Sequence, residues 1–326
     1  MIEYAVAVGS NRLAERLFGS SFEELADVPA ERVGGVLTEF DSDVSRRVLE
    51  RADVLVTGWD TPPLTAATLD AAPRLRQVIH AGGAVEWLFP DGMRGIAASD
   101  TGAVNAVPVA EYALAMVVLA NKDAFRAREL YRDRRAFIDR EEEFAASGNH
   151  IRTVGVVSAS RTGRALIELL RPFATLRVLV YDPQLSTRDA RALGVTSVTL
   201  RELMRVSDVV TLHPPVLPDT IGMIDAEMLA LLPDGATLIN TARGEIVDHA
   251  ALERELRRQR IKAILDVTDP EPLPASSPLY DLPNVFLTPH VAGSMGTELR
   301  RMGGEVASIL TRFVGNERLA RGMPLG

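Results

Sequence analysis

The sequence predicts an α/β protein of two doubly wound domains, each a parallel sheet covered by helices. Short apolar runs of strand length alternate with helical patterning through both halves of the chain, the signature of parallel strands joined by crossover helices. The 326 residues suffice for two domains that each bury a sizeable core. A third observation sets a direction. Arg243, Glu271 and His290 each closely follow an apolar run, which places all three near the C-terminal ends of strands, the edge where open α/β sheets bind ligands.

In the first hundred residues, Ala5 to Val8, Val54 to Thr57, Val78 to Ile79 and Ile96 to Ala98 read as strands, with helical pattern between them. From Asn105 to Ala120 the chain is apolar almost all round, the pattern of a buried helix, here expected to cross between the domains. Asn121 to Asn149 is highly charged and reads as a solvated helix and loop, although a partner subunit can cover its aromatic positions Phe125, Tyr131 and Phe137. A second α/β series opens at Thr153 to Val157 and continues through Val178 to Asp182 and Val209 to Leu212. It ends in the strands that precede the three polar residues: Ala236 to Ile239, Ala263 to Leu265 and Val285 to Leu287. After Gly293 another helical segment runs to about Gly315.

Composition narrows the chemistry. A hydrophobic content of 47% and a charged content of 25% are ordinary for a soluble globular protein. The net charge of -8 argues against a generic nucleic-acid surface. Without cysteine there is no disulfide, thiolate nucleophile or cysteine-ligated metal. The five histidines (His80, His150, His213, His249 and His290) lack metal-ligand spacing, so no metal is expected. The N-terminal apolar run is short and carries Glu3 where a secretory signal would be basic. No stretch is read as reaching membrane-spanning length, so no membrane partner is expected and the cytoplasm is the expected location.

A dinucleotide-binding turn needs a strand, a glycine-rich turn, a helix with its N-terminus at the pyrophosphate, and an acidic residue after the next strand. Thr153 to Val157 supplies the strand, a helix runs from about Thr162 through Leu170, and Asp182 lies nineteen positions beyond Gly163. The turn itself reads Ser158-Ala159-Ser160-Arg161-Thr162-Gly163, so only the third glycine of G-x-G-x-x-G remains. Ser158 adds a Cβ where crowding is greatest, whereas the Ser160 hydroxyl can itself donate to phosphate. Asp182 suits a ribose 2′-hydroxyl and repels a 2′-phosphate, which favours NAD over NADP.

Around the polar trio, the imidazole of His290 can give or take a proton near neutral pH. A Glu271 carboxylate can fix its tautomer, and the planar fork of Arg243 can clamp a carboxylate. Gly244 permits close approach beside Arg243, while Pro270 and Pro272 hold the segment around Glu271.

The segments Ile239 to Asp248, Asp266 to Pro274 and Leu287 to Gly293, in this order, resemble the D-isomer-specific 2-hydroxyacid dehydrogenases. The likeness is strong from Val154 to Met295 and weaker in the first hundred residues. It implies two Rossmann-like domains with an interdomain cleft: a discontinuous substrate (catalytic) domain, 1–104 plus 295–326, and an NAD-binding domain, 105–294. It also implies hydride transfer between NAD(H) and a D-2-hydroxy acid/2-keto acid pair. His290 would be the proton donor and acceptor, Glu271 its partner, and Arg243 the anchor for the substrate carboxylate. The family's formate dehydrogenases carry glutamine at the position of Glu271, because their chemistry needs no proton transfer.

The resemblance assigns Arg161 and Thr162 to the pyrophosphate beside the Ser158, Ser160 and Gly163 turn. His213, Pro214 and Thr220 would line the adenosine side, Thr241 and Ala242 would lie beside the nicotinamide ribose, and Asp266 would meet the carboxamide. In the loop His80 to Glu86, Gly82 and Gly83 would turn backbone amides toward the substrate, with Ala84 replacing a family glycine. Trp87, Leu88 and Phe89 would either wall an apolar pocket or belong to the core. A homodimer through the nucleotide-binding domain is implied as well. The chain ends near Gly326 without room for the regulatory domain of some phosphoglycerate enzymes, so a glyoxylate or hydroxypyruvate reductase is the first expectation. Two other readings stand beside it: an NAD-binding sensor or corepressor-like scaffold, and a decayed dehydrogenase whose serine turn binds cofactor weakly.

Overall fold

The structure, a computed structural model, describes residues 1–320; residues 321–326, the end of the 295–326 return segment, lie outside the described residues. The chain divides into two compact units, one formed by Met1–Asn105 with the segment from Ser294 onward, the other by Ala106–Gly293.

The first unit holds a parallel five-stranded sheet of β1 (Glu3–Ala7), β2 (Glu31–Leu37), β3 (Val54–Thr57), β4 (Gln77–His80) and β5 (Ala97–Asp100), in the order β2-β1-β3-β4-β5. Alternation along β3 sends Val54 and Val56 to one face and Leu55 to the other. The first face packs on Leu17 and Phe18 and on Met302, Val306 and Leu310 of the returning helix Leu299–Ala320. That helix approaches the end of helix Asn11–Phe18 so closely that a Cβ on Gly303 would lie 1.9 Å from the Leu17 carbonyl oxygen. Only glycine fits there.

β2 is an addition to the strands legible in the sequence. Its Gly34 and Gly35 interrupt any apolar alternation, and it forms because edge pairing with β1 satisfies its backbone.

The second unit holds a parallel seven-stranded sheet of β6 (Arg152–Val157), β7 (Leu176–Tyr181), β8 (Thr196–Ser197), β9 (Val209–Leu212), β10 (Thr237–Asn240), β11 (Lys262–Leu265) and β12 (Val285–Leu287). Their order is β12-β11-β10-β9-β6-β7-β8, so the winding reverses between β6 and β9, the crevice where such sheets take ligands. Val154, Val156, Ile239 and Ile264 pack against Leu166, Ile167 and Leu170 of helix Arg161–Leu170. Val157, Val210, Leu238 and Leu265 pack on the opposite face with Leu203, Leu229 and Leu252. Each such side chain, fully buried, contributes about 1.5–3 kcal/mol.

One expectation is corrected here. Helix Gly102–Asn121 has 20 residues and is long and apolar enough, by length and composition alone, to cross a membrane. One side of it, Ala110, Ala113, Met116 and Val117, packs against Val154, Val156 and Leu166. The helix is not buried all round, since Tyr112, Leu114, Val118 and Leu119 are only half-buried. The following helix, Ala124–Arg134, buries no residue; Tyr131 and Phe137 are exposed, while Phe125 stacks on Phe286 with ring centroids 4.3 Å apart.

Candidate active site

Strands β10, β11 and β12 are consecutive in the sheet and parallel, so the segments that follow them emerge side by side at one edge. Arg243 follows β10. Its turn is clamped by the buried Asn240, whose Oδ1 accepts from Ala242 N at 3.0 Å and whose Nδ2 donates to Arg243 O at 2.8 Å. The sequence reading did not single out Asn240. The Arg243 side chain is exposed; its Nη1 donates to Ala242 O at 2.6 Å, and it pairs with no carboxylate among the described residues. Gly244 is pressed against the loop after β11, where a Cβ would meet the Thr268 carbonyl oxygen at 2.1 Å.

Glu271 lies in that second loop. Thr268 Oγ1 donates to Pro270 O at 2.8 Å, and Asp269 N donates to His249 Nε2 at 3.2 Å. Its Oε1 stands 2.8 Å from His290 Nδ1, with the two side chains 43% and 46% exposed. A carboxylate accepts, so Nδ1 carries the proton and Nε2 is left to exchange one with a ligand. His290 has φ +54, a left-handed conformation that costs a non-glycine residue about 1–2 kcal/mol. Its N–H is held by Asp266 O at 2.9 Å and Thr288 O at 3.0 Å.

Asp266, assigned to the carboxamide by resemblance, is 2% exposed and braces the loop that carries His290. Its Oδ1 accepts from Thr288 Oγ1 at 2.6 Å and Val291 N at 2.8 Å, and its Oδ2 accepts from Ala292 N at 2.9 Å. Three convergent donors offset the burial of a carboxylate.

The turn after β6 shows how a serine replaces a glycine. Ser158 adopts φ +75, so its cost is torsional strain. Its Oγ donates to Asp182 Oδ2 at 3.2 Å, the same oxygen that takes Ala159 N at 2.8 Å, while Gln184 N donates to Oδ1 at 2.8 Å. The acidic residue is thereby tied to the turn. Ser160 caps helix Arg161–Leu170, its Oγ accepting from Gly163 N at 3.3 Å and keeping its proton to donate. Arg161 and Thr162 open that helix. At Gly163 a Cβ would lie 2.1 Å from Ser158 O, so the third glycine is obligatory.

On the loop after β9, His213 and Pro214 are buried. His213 Nε2 lies 3.0 Å from Thr211 Oγ1, and burial pulls the imidazole pKa down to about 3, which keeps it neutral. The Thr220 hydroxyl is engaged inside the loop, donating to Pro215 O at 2.6 Å and accepting from Leu217 N at 2.8 Å. Two buried polar atoms in this region have no hydrogen-bond partner, His213 Nδ1 and Thr241 Oγ1. Orphaned buried polar atoms call for a partner. Both belong to residues assigned to the cofactor, so the residues present fit a dinucleotide. Ala242 is half-buried beside Thr241.

In the first unit, the Gly82 amide donates to His80 O at 2.9 Å. A Cβ at Gly82 would lie 2.3 Å from His80 Nε2, so this glycine makes room for a buried imidazole. Burial lowers the His80 pKa to about 4, and its Nδ1 lies 3.0 Å from Thr57 Oγ1. The amides of Gly83 and Ala84 form no hydrogen bond among the described residues. Leu88 and Phe89 belong to the core, whereas Trp87 is exposed and edges onto His80.

Residues 114–292 match the family described as D-isomer specific 2-hydroxyacid dehydrogenase, NAD binding domain. D-3-phosphoglycerate dehydrogenase of Mycobacterium tuberculosis is 31% identical over 299 residues, covering 90% of this chain and 55% of that protein. The chain thus spans about half the length of the curated phosphoglycerate dehydrogenases it matches. Glyoxylate reductase of Korarchaeum cryptofilum is 34% identical over 259 residues, 78% of this chain and 77% of that one. Among solved structures, D-lactate dehydrogenase from Aquifex aeolicus, complexed with NAD and lactic acid, has a TM-score of 0.74 at 26% identity over 96% of each chain.

Proposed function

Because the chain belongs to the D-isomer specific 2-hydroxyacid dehydrogenase family, we propose that it interconverts a D-2-hydroxy acid and its 2-keto acid with NAD(H). The observation that carries this reading is the 2.8 Å hydrogen bond between His290 Nδ1 and Glu271 Oε1, at the same sheet edge as Arg243, which pairs with no carboxylate among the described residues. The nicotinamide, when bound, supplies the hydride in reduction and takes it in oxidation. His290 delivers a proton from Nε2 to the substrate oxygen in reduction and removes it in oxidation. Glu271 holds the ring in the tautomer this requires and stabilises the imidazolium. Arg243 binds the substrate carboxylate through its fork. Ala106–Gly293 is the NAD-binding unit in this reading, and the unit formed by Met1–Asn105 and the segment from Ser294 is the substrate unit. A small 2-keto acid such as glyoxylate or hydroxypyruvate is the first substrate to try, supported by the glyoxylate reductase relative of comparable length.

Fluorescence titration with NADH and NADPH tests the cofactor assignment. Saturable NADH binding, tighter than NADPH by roughly tenfold or more, or about 1.4 kcal/mol, is expected from the Asp182 carboxylate. Failure of both to bind would overturn the enzyme reading, leaving a catalytic trio beside an inoperative serine turn.

A homodimer through the nucleotide-binding unit belongs to the same proposal. The half-buried apolar side of helix Gly102–Asn121 and the exposed Tyr131 and Phe137 support it. Sedimentation at micromolar concentration should return twice the 35.4 kDa chain mass, and a monomer would refute it.

A further inference from the structure

We propose that the Tyr112 hydroxyl is a positioning group for His290, acting through Thr288 and Asp266; the proposal rests on the reading of His290 as the proton donor. Tyr112 Oη lies 2.8 Å from Thr288 Oγ1, and Thr288 Oγ1 lies 2.6 Å from Asp266 Oδ1. The proton order along this chain is forced. A carboxylate has no proton to give, so Thr288 donates to Asp266, and its hydroxyl can then only accept from Tyr112. Burial, joined by the Asp266 charge, raises the Tyr112 pKa above its ordinary value and so keeps that donor protonated.

The far end of the chain is the segment that must hold a strained residue. Asp266 takes His290 N on its carbonyl and Val291 N and Ala292 N on its carboxylate. These bonds hold His290 at φ +54, the conformation in which its Nδ1 meets Glu271. Tyr112 projects from helix Gly102–Asn121, whose neighbouring Ala110 and Ala113 are fixed in the core. The helix therefore offers a rigid anchor, and the hydroxyl is what transmits it to the loop. Without it, Thr288 has no donor to orient it, and its bond to Asp266 loses directional restraint.

Tyr112→Phe removes one oxygen and keeps the ring packing. Two measurements on the full-length chain test the idea. Long-range 1H–15N spectra of the histidine side chains, with His290 assigned by its absence from His290→Ala, read the ring directly and need no turnover. The His290 resonances and their titration should move in Tyr112→Phe, while His80 and His213 stay unchanged. In parallel, kcat for 2-keto acid reduction should fall roughly two- to tenfold, with KM and the NADH dissociation constant unaltered. Adding Tyr112→Phe to Thr288→Val should bring no further loss, because both act along one path. An unmoved His290 spectrum would overturn the proposal whatever the rates do, and so would a loss that multiplies with Thr288→Val. If the wild-type chain reduces no 2-keto acid while the His290 signals still shift in Tyr112→Phe, the functional reading fails and the positioning stands.

Discussion

Replacing His290 with alanine should lower kcat for reduction of a 2-keto acid by roughly 10²–10⁴-fold, the contribution expected of a positioned general acid. NADH binding should be nearly unchanged. The side chain lends itself to a clean deletion, because His290 and Glu271 are 46% and 43% exposed. Its removal opens no core cavity and leaves Glu271 free to be solvated, so the fold is expected to keep its stability. Steady-state rates with a panel of 2-keto acids, paired with NADH fluorescence titration, separate chemistry from binding. Turnover equal to the wild type would remove His290 from the mechanism and leave the Glu271 hydrogen bond as a structural feature.

Arg243→Ala should raise KM and lower kcat together. A charge-assisted hydrogen bond is worth about 1.5–3 kcal/mol, so kcat/KM should fall roughly 10- to 150-fold. Arg243→Lys should recover only part of this, since an ammonium keeps the charge and loses the planar fork. The loss should be specific to substrate. Asn240 clamps the turn with two hydrogen bonds to which the guanidinium adds one, and Arg243 forms no ion pair among the described residues whose removal would strand a charge. Equal kcat/KM for the two variants and the wild type would place carboxylate recognition elsewhere.

Much of the second unit was legible because its signals are local. Val154, Val156 and Val157, or Ile239 and Ile264, mark strands through apolar runs that any buried parallel sheet requires. Arg243, Glu271 and His290 could be placed at strand ends because each follows its run within a few residues. Gly163 could be recognised because the turn it closes spans only Ser158 to Gly163. Two of the four edge strands, β2 and β8, were not legible, whereas β5 and β12 carry apolar runs. β2 carries two glycines and β8 has two exposed residues, and both exist through the hydrogen bonds of a neighbour.

Side-chain direction was the other thing missing. Asp266 was assigned to the carboxamide by resemblance alone, because nothing in its local sequence shows which groups its side chain meets. Its donors come from Thr288, Val291 and Ala292, some 22 to 26 residues away, and they turn it inward. Gly82 read as an amide donor, but the His80 ring and carbonyl claim its space and its N–H. Thr220 and His213 follow the same rule, one engaged within its own loop and the other buried against Thr211.

By itself the sequence determined the alternation of strands and helices, the edge at which the three polar residues gather, and the acidic residue that follows the nucleotide turn. These depend on periodicity and on short spacings, which the chain carries locally. Only the tertiary structure decided which polar groups stay available to a ligand and which brace the loops. A hydrogen bond between distant segments exists only after the backbone has brought them together, and burial then holds each group to the partner it finds.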